Sequence, residues 1–341
     1  LVNKMPRARA TNFTVMTQLS DEHRANNLGQ GLPGFQPPAR LKALVDRYIR
    51  RGQNQYAPMI GARQLREAIA AKTKAHYGAR VDAENEITVT SGATEAIFCA
   101  IQAVVARGED VIVLDPCYDS YEPSIALAGG RTVHVPLRAP DFSVDWPRLE
   151  DVLPAKTRLL IRNSPPNPTG ALVTSSDLSR LAELLRPTEC LVLSDEVYEH
   201  VVFDGAHASV LNVAELAARS FVISSFGKTY HATGWKVGYC MAPKALTDEF
   251  RRVHQYVMFA TTTPMQLALA DYLIEAPEHY RGLPDFYRDK RDYFAGLLQE
   301  SRFDLLPVRG TYFQLARYGA ISDRSDVEFA RWLTIEHGVA T

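Results

Sequence analysis

Lys228 stands among groups that could put its amine to chemical use. It belongs to Ser224-Ser225-Phe226-Gly227-Lys228-Thr229, directly after the apolar run Phe221-Val222-Ile223, and a second cation, Lys236, follows eight residues on. An apolar run this short, bounded by serines and a glycine, predicts a strand buried on both faces with the lysine at its end. A primary amine held there can attack a carbonyl carbon, while Ser225 and Lys236 can offer a hydroxyl and an ammonium to a phosphate. The arrangement suits a lysine bonded covalently to a phosphorylated aldehyde cofactor. A solvated surface lysine is the plainer alternative, and it leaves the serines and the second cation without a purpose. Gly227-Lys228-Thr229 also has the ending of a nucleotide-binding P-loop. That motif requires a glycine at position 222, where Val222 stands in a strand-like run, so the P-loop reading fails.

Such a lysine needs a scaffold, and the chain's periodicity supplies one. From about residue 90, short apolar runs alternate with amphipathic stretches. Val111–Leu114, Thr132–Val135, Leu159–Ile161, Leu191–Leu193 and Phe221–Ser224 read as strands, and Tyr121–Ala128 and Ser176–Leu185 as helices. This alternation predicts an α/β fold with a mostly parallel sheet, whose ligands bind beyond the carboxyl ends of the strands. Ser91-Gly92-Ala93-Thr94-Glu95-Ala96 opens a helix whose small residues let backbone N–H groups approach an anion. A well-capped helix with no ligand reads equally well there. Beyond residue 245 helical patterns dominate through Gln299, followed by an expected strand over Gly310–Leu315 and a helix over Asp326–Glu336. The expected division is a large domain over residues 42–262 and a smaller α+β domain built from 1–41 and 263–341.

Composition narrows the function classes. With 341 residues the chain can bury a sizeable core, and Lys+Arg of 38 against Asp+Glu of 39 gives no basic footprint for nucleic acid. No apolar stretch is long enough to span a bilayer, and the first residues show no signal-peptide pattern. Cys99, Cys117, Cys190 and Cys240 form no CxxC pair and no metal-ligand spacing with histidine. Cys99 and Cys190 read as core residues, which suits a reducing cytoplasm. No metal site is expected.

Four more motifs fall in order around Lys228: Asn163-Ser164-Pro165-Pro166-Asn167-Pro168-Thr169-Gly170; Ser194-Asp195-Glu196-Val197-Tyr198; Asp115-Pro116-Cys117-Tyr118-Asp119-Ser120-Tyr121; and, near the start, Leu28-Gly29-Gln30-Gly31-Leu32-Pro33 with Asn54-Gln55-Tyr56-Ala57-Pro58. On these the sequence resembles the fold type I pyridoxal-phosphate aminotransferases of class I/II, within them the methionine and kynurenine branch. The resemblance runs from Phe13-Thr14-Val15-Met16 to Val327-Glu328-Phe329. It implies pyridoxal 5'-phosphate as cofactor and a set of roles. Lys228 tethers the cofactor and takes the Cα proton of the substrate. Asp195 faces the ring nitrogen and favours its protonated form. Val197, on the same side of the chain as Asp195, supports one ring face and Tyr118 the other, though Tyr118 could equally be a core tyrosine. Asn167 and Tyr198 hydrogen-bond the ring oxygen. Gly92, Ala93, Thr94, Ser225 and Lys236 hold the phosphate. Tyr56 reaches the phosphate of a neighbouring subunit, which implies a homodimer with shared sites.

One departure matters. The family clamps the substrate carboxylate with an arginine in a late strand, because a planar fork pairs bidentately with carboxylate. Arg302, Arg309, Arg317, Arg324 and Arg331 all lack the matching context. The expectation is that this arginine belongs beyond Thr341, leaving Asn167 and the Gly31 backbone as carboxylate contacts. The stretch Tyr256–Pro264 contains no arginine. That predicts an apolar pocket, with Phe13 and Phe259 facing the side chain of methionine or an aromatic amino acid, and a 2-oxo acid as acceptor. Phe13, Tyr56 and Phe259 read as simple packing residues on the competing view. The same residues support cysteine-conjugate β-lyase chemistry. A transcriptional regulator with an aminotransferase-like effector domain is the reading from another class. It needs a winged-helix module, and with pocket residues starting at Phe13 the expectation is that none precedes this domain.

Overall fold

The computed structural model describes residues 12–31, 33–153 and 156–341. Residues 1–11 of the expected small domain and Leu32 of the Leu28–Pro33 motif lie outside the described residues. The principal elements are α1 (Asn12–His23), α2 (Ala39–Arg50), α3 (Arg63–Tyr77), β1 (Ile87–Thr90), α4 (Gly92–Val104), β2 (Asp110–Asp115), α5 (Tyr121–Ala128), β3 (Arg131–Pro136), β4 (Thr157–Asn163), α6 (Ser175–Leu185), β5 (Leu191–Asp195), β6 (Ser220–Ser225) and β7 (Gly238–Met241). Then come α7 (Lys244–Val257), α8 (Thr263–Glu275), α9 (Pro277–Leu298) and α10 (Asp326–His337). Every strand and helix expected between residues 91 and 225 is present.

The seven strands form one sheet in the order β1-β7-β6-β5-β4-β2-β3. β3, β2, β4, β5 and β6 run parallel, and β7 lies antiparallel between β6 and β1. The strands are continuous apolar runs because both faces are covered. Alternate side chains serve two separate cores. Ile112, Leu160, Val192 and Val222 join the cluster that includes α2, α3 and α6. Val111, Val113, Leu159, Ile161, Leu193, Phe221 and Ile223 join the one under α4 and α5. Truncating a side chain such as the fully buried Phe221 to alanine costs roughly 3–5 kcal/mol, since a rigid sheet cannot collapse into the cavity.

Parallel direction brings the carboxyl ends of β1, β2, β4, β5 and β6 to one edge, where the antiparallel β7 starts. The register sets Asn163 beside Asp195, Asp195 beside Ile223 and Ser225 beside Gly238. Elsewhere the early and late segments meet: Asn26–Asn27 pairs in parallel with Val339–Ala340, and α1 packs on α10.

The expected strand over Gly310–Leu315 does not form. Gly310 makes only an isolated bridge to Val202, and Thr311 turns to φ 65°, outside extended geometry. Pairing resumes at Ala316–Arg317 against Asp304–Leu305. The kink comes from docking, since Arg309 and Gly310 N–H both donate to Gly170 O (3.0 and 2.9 Å) and Thr311 N–H donates to Val201 O (2.8 Å). A Cβ at Gly310 would lie 2.7 Å from Pro165 Cγ, so only glycine lets the backbones approach this closely.

Candidate active site

Strand β6 ends at Ser225, whose hydroxyl oxygen accepts from Gly227 N–H (3.1 Å) and caps a single helical turn over Phe226–Thr229. That turn lifts Lys228 off the strand end. Its Nζ donates to Tyr312 Oη (3.0 Å) and Gly31 O (3.2 Å), and Tyr312 Oη itself donates to Gly31 O (2.8 Å). The ammonium lies 5.6 Å from the ring centres of both Tyr198 and Tyr312. Tyr312 follows directly from the kink at Thr311 and carries no role in the sequence reading.

Asp195, at the end of β5, is 3% exposed. Tyr121 Oη donates to its Oδ2 (2.7 Å) and Val197 N–H to its Oδ1 (3.3 Å). Burial nonetheless pushes this carboxyl up to about 6, against the lowering effect of those two donors. Two polar contacts do not replace the hydration of a carboxylate, so the site calls for a cation opposite Asp195. The turn after β5 is fixed by Glu199, a buried carboxylate that accepts from Lys72 Nζ (2.6 Å) and from Ser224 Oγ. Tyr198 on that turn is buried, which pushes its phenol well above its ordinary value and keeps it a donor.

A cavity of about 180 Å³ lies between these groups. Gly92, Ala93, Thr94, Tyr118, Asn167, Asp195, Val197, Tyr198, Ser225, Lys228 and Lys236 all line it, so the structure brings together eleven of the residues singled out in the sequence. On its wall Gly92 has φ 76°, and a Cβ there would sit 3.2 Å from Lys236 Nζ. Tyr118 Oη meets Thr94 Oγ1 at 3.3 Å, and Asn163 Oδ1 orients Asn167 by accepting its N–H (2.8 Å).

A second, larger cavity of about 890 Å³ opens beside the first, with Thr94, Tyr118, Asn167, Tyr198, Lys228 and Lys236 at the junction. Phe13 and Gly31 line it as expected, together with Phe98, Leu127, Met258 and Phe313. Phe259 and Tyr56 do not line either cavity. Phe259 takes φ 65° and meets Tyr56 edge-on at 5.4 Å, and both rings stay largely exposed, Tyr56 at 82%. Among the described residues lining either cavity there is no arginine. Arg309 and Arg317 bond instead to Asp204 O and Asp304.

The residues fit pyridoxal phosphate. A buried carboxylate could face a protonated ring nitrogen, Lys228 offers an amine to the same cavity, and a helix start with Ser225, Thr94 and Lys236 can hold a dianion. Fold and site therefore define an enzyme of amine–carbonyl chemistry at the carboxyl edge of an α/β sheet.

The chain belongs to the aminotransferase class I and II family, whose sequence profile matches residues 25–341. It is 51% identical over 339 residues to the methionine aminotransferase of Escherichia coli K12, covering 99% of this chain and 88% of that one. It is 33% identical to the kynurenine–oxoglutarate transaminase of Dictyostelium discoideum, over 95% of this chain and 83% of that protein. Among solved structures it superposes on Escherichia coli YbdL, described as having a methionine aminotransferase function, with a TM-score of 0.98 and 50% identity over 100% of this chain and 89% of that one.

Proposed function

We propose that the protein is a pyridoxal-phosphate-dependent aminotransferase that takes the amino group of methionine or an aromatic amino acid and passes it to a 2-oxo acid. The observation that carries this reading is the position of Lys228, at the junction of a cavity that Asp195, Ser225 and Lys236 line and a larger, mainly apolar one. The bound cofactor would supply an electron sink for the electrons left when the Cα proton departs.

The chain's own residues do the rest. Lys228 Nζ, once released by Tyr312 and Gly31, would be the base that takes the Cα proton and, from that same side, the acid that gives it back. Asp195 would balance the positive charge of the ring nitrogen. Tyr198 and Asn167 would donate to the ring oxygen, Val197 and Tyr118 would support the ring, and Gly92, Ala93, Thr94, Ser225 and Lys236 would hold the phosphate. Asn167 and the Gly31 backbone, which line the larger cavity, would hold the substrate carboxylate.

We further propose a cytoplasmic homodimer. The exposed Tyr56 and Phe259 meet edge-on, and Met258, next to Phe259, lines the larger cavity, an apolar patch suited to a second copy that shares the site. All four cysteines are free thiols, as in a reducing compartment.

Substrate choice tests the reading. Burying the methionine side chain against Phe13, Phe98 and Met258 is worth about 2–3 kcal/mol. An aspartate side chain would leave a carboxylate unpaired among apolar walls near Asp119, at several kcal/mol. The expected ratio of kcat/KM, methionine over aspartate, is about a thousandfold or more. Equal values, or a preference for aspartate, would overturn the apolar-pocket reading.

A further inference from the structure

Glu95 is out of place. It sits in the first turn of α4, next to Thr94, and lines the larger cavity together with Ser91, Thr94 and Lys236. A carboxylate there suits the helix but opposes a phosphate dianion bound at the same turn.

The structure answers with His254, which is fully buried at the end of α7. Its Nε2 lies 2.9 Å from Met59 O, and a carbonyl can only accept, so Nε2 carries a proton. Its Nδ1 lies 2.8 Å from Glu95 Oε1. In the neutral tautomer that remains, two lone pairs would face each other, so a second proton must lie between them. Whether it rests on the ring or on the carboxyl, the pair together carries no net charge. Glu95 Oε1 also accepts from Cys99 Sγ (2.9 Å), and Oε2 from Ser91 N–H (2.9 Å).

Glu95, Cys99 and His254 could in principle ligate a metal ion. Ligands of one tetrahedral ion at about 2.0–2.3 Å stand roughly 3.3 Å or more apart. The observed 2.8 and 2.9 Å are hydrogen-bond separations, so a proton fills this place.

We propose that His254 is a positioning residue for cofactor binding: it cancels the charge of Glu95 beside the phosphate-holding turn and ties that turn to two neighbouring segments. Through Met59 O it grips the loop that carries Tyr56. Through its own carbonyl, which accepts from Met258 and Phe259 N–H (3.0 and 3.2 Å), it sets the wall of the larger cavity. The inference rests on the reading that Thr94, Ser225 and Lys236 hold a phosphate.

The test is equilibrium binding of pyridoxal phosphate, and separately of inorganic phosphate, to the full chain freed of cofactor. The variants are His254→Gln, His254→Asn and each combined with Glu95→Gln. Both single variants leave a carboxylate without its proton partner and should raise both dissociation constants about tenfold or more. Adding Glu95→Gln should restore them to within about threefold of the unsubstituted protein. A purely structural role for His254 would show no such rescue. Two single variants keep the test intact if one of them does not fold. Unchanged binding in the single variants, or a double variant no tighter than its single parent, would overturn the proposal. Absence of binding by the unsubstituted chain would instead sink the cofactor reading on which it rests.

Discussion

Replacing Asp195 by asparagine should make the cofactor-free protein more stable and, at the same time, a far poorer enzyme. Asparagine matches the shape of a protonated aspartate and never ionises. The carboxyl of Asp195 is displaced from 3.8 to about 6, mainly by burial. The folded chain therefore binds this proton more tightly than the unfolded chain does. That contribution to stability is complete below about pH 4 and is lost as pH rises toward about 6, beyond which the folded protein carries a buried, underpaired charge. The displacement is worth about 3 kcal/mol. Asparagine escapes this penalty, so its advantage should be near zero at pH 4 and reach about 3 kcal/mol from pH 7 upward. For a chain of this length that is a rise of about 4 °C in Tm.

The assay is thermal unfolding of both cofactor-free proteins from pH 4 to pH 8, with turnover of the cofactor-loaded forms measured alongside. Turnover of the variant should fall severely, because a neutral amide no longer favours the protonated ring nitrogen. A Tm difference that does not grow with pH would mean that Asp195 is better solvated than its surroundings imply. Near-normal turnover would mean that another group performs its role.

Lys228→Ala should abolish transamination while the protein still folds, and borohydride reduction of the unsubstituted holoenzyme should label Lys228 alone; a label on any other lysine would refute the assignment. Tyr312→Phe removes the hydroxyl that accepts from Lys228 Nζ at 3.0 Å, and the loss of one hydrogen bond to a charged group should lower kcat by about tenfold with little change in cofactor affinity. An unchanged kcat would show that Gly31 O alone positions the amine.

The gathering of the residues proposed to hold the cofactor around one cavity was legible because they are carried by short contiguous motifs at strand ends. Asp195, Ser225 and Lys228 follow apolar runs that could only be buried strands, and a parallel sheet delivers all such ends to one edge. The two-face burial of those runs was legible for the same reason. Groups that act through space were not. Tyr121 stood in a quoted motif with no partner, and nothing in its local sequence indicates that its hydroxyl reaches Asp195, 74 residues away. The cysteines showed no spacing with histidine, yet Cys99 and His254 meet on one oxygen of Glu95 because α4 packs against α7.

Tyr312 shows why the remaining gap is physical rather than a matter of better pattern matching. Gly310-Thr311-Tyr312-Phe313 has the β-branched and aromatic character of a strand, and local propensity argues for one. What overrides it is a close approach of two backbones. Gly310 fits against Pro165 only because it lacks a Cβ, and Gly170 at φ 63° turns its carbonyl to receive both Arg309 and Gly310. These contacts fix Thr311 at positive φ and swing Tyr312 toward Lys228 instead of along a ladder. The loop Asn163–Gly170 thus orients Asn167 on one side and, by gripping Gly310, Tyr312, the partner of Lys228, on the other. A substitution at Gly170 that leaves every cavity-lining residue untouched should therefore disturb Lys228 through Tyr312, because a Cβ there would collide with Gly310 O as well as with Val308 Cγ2.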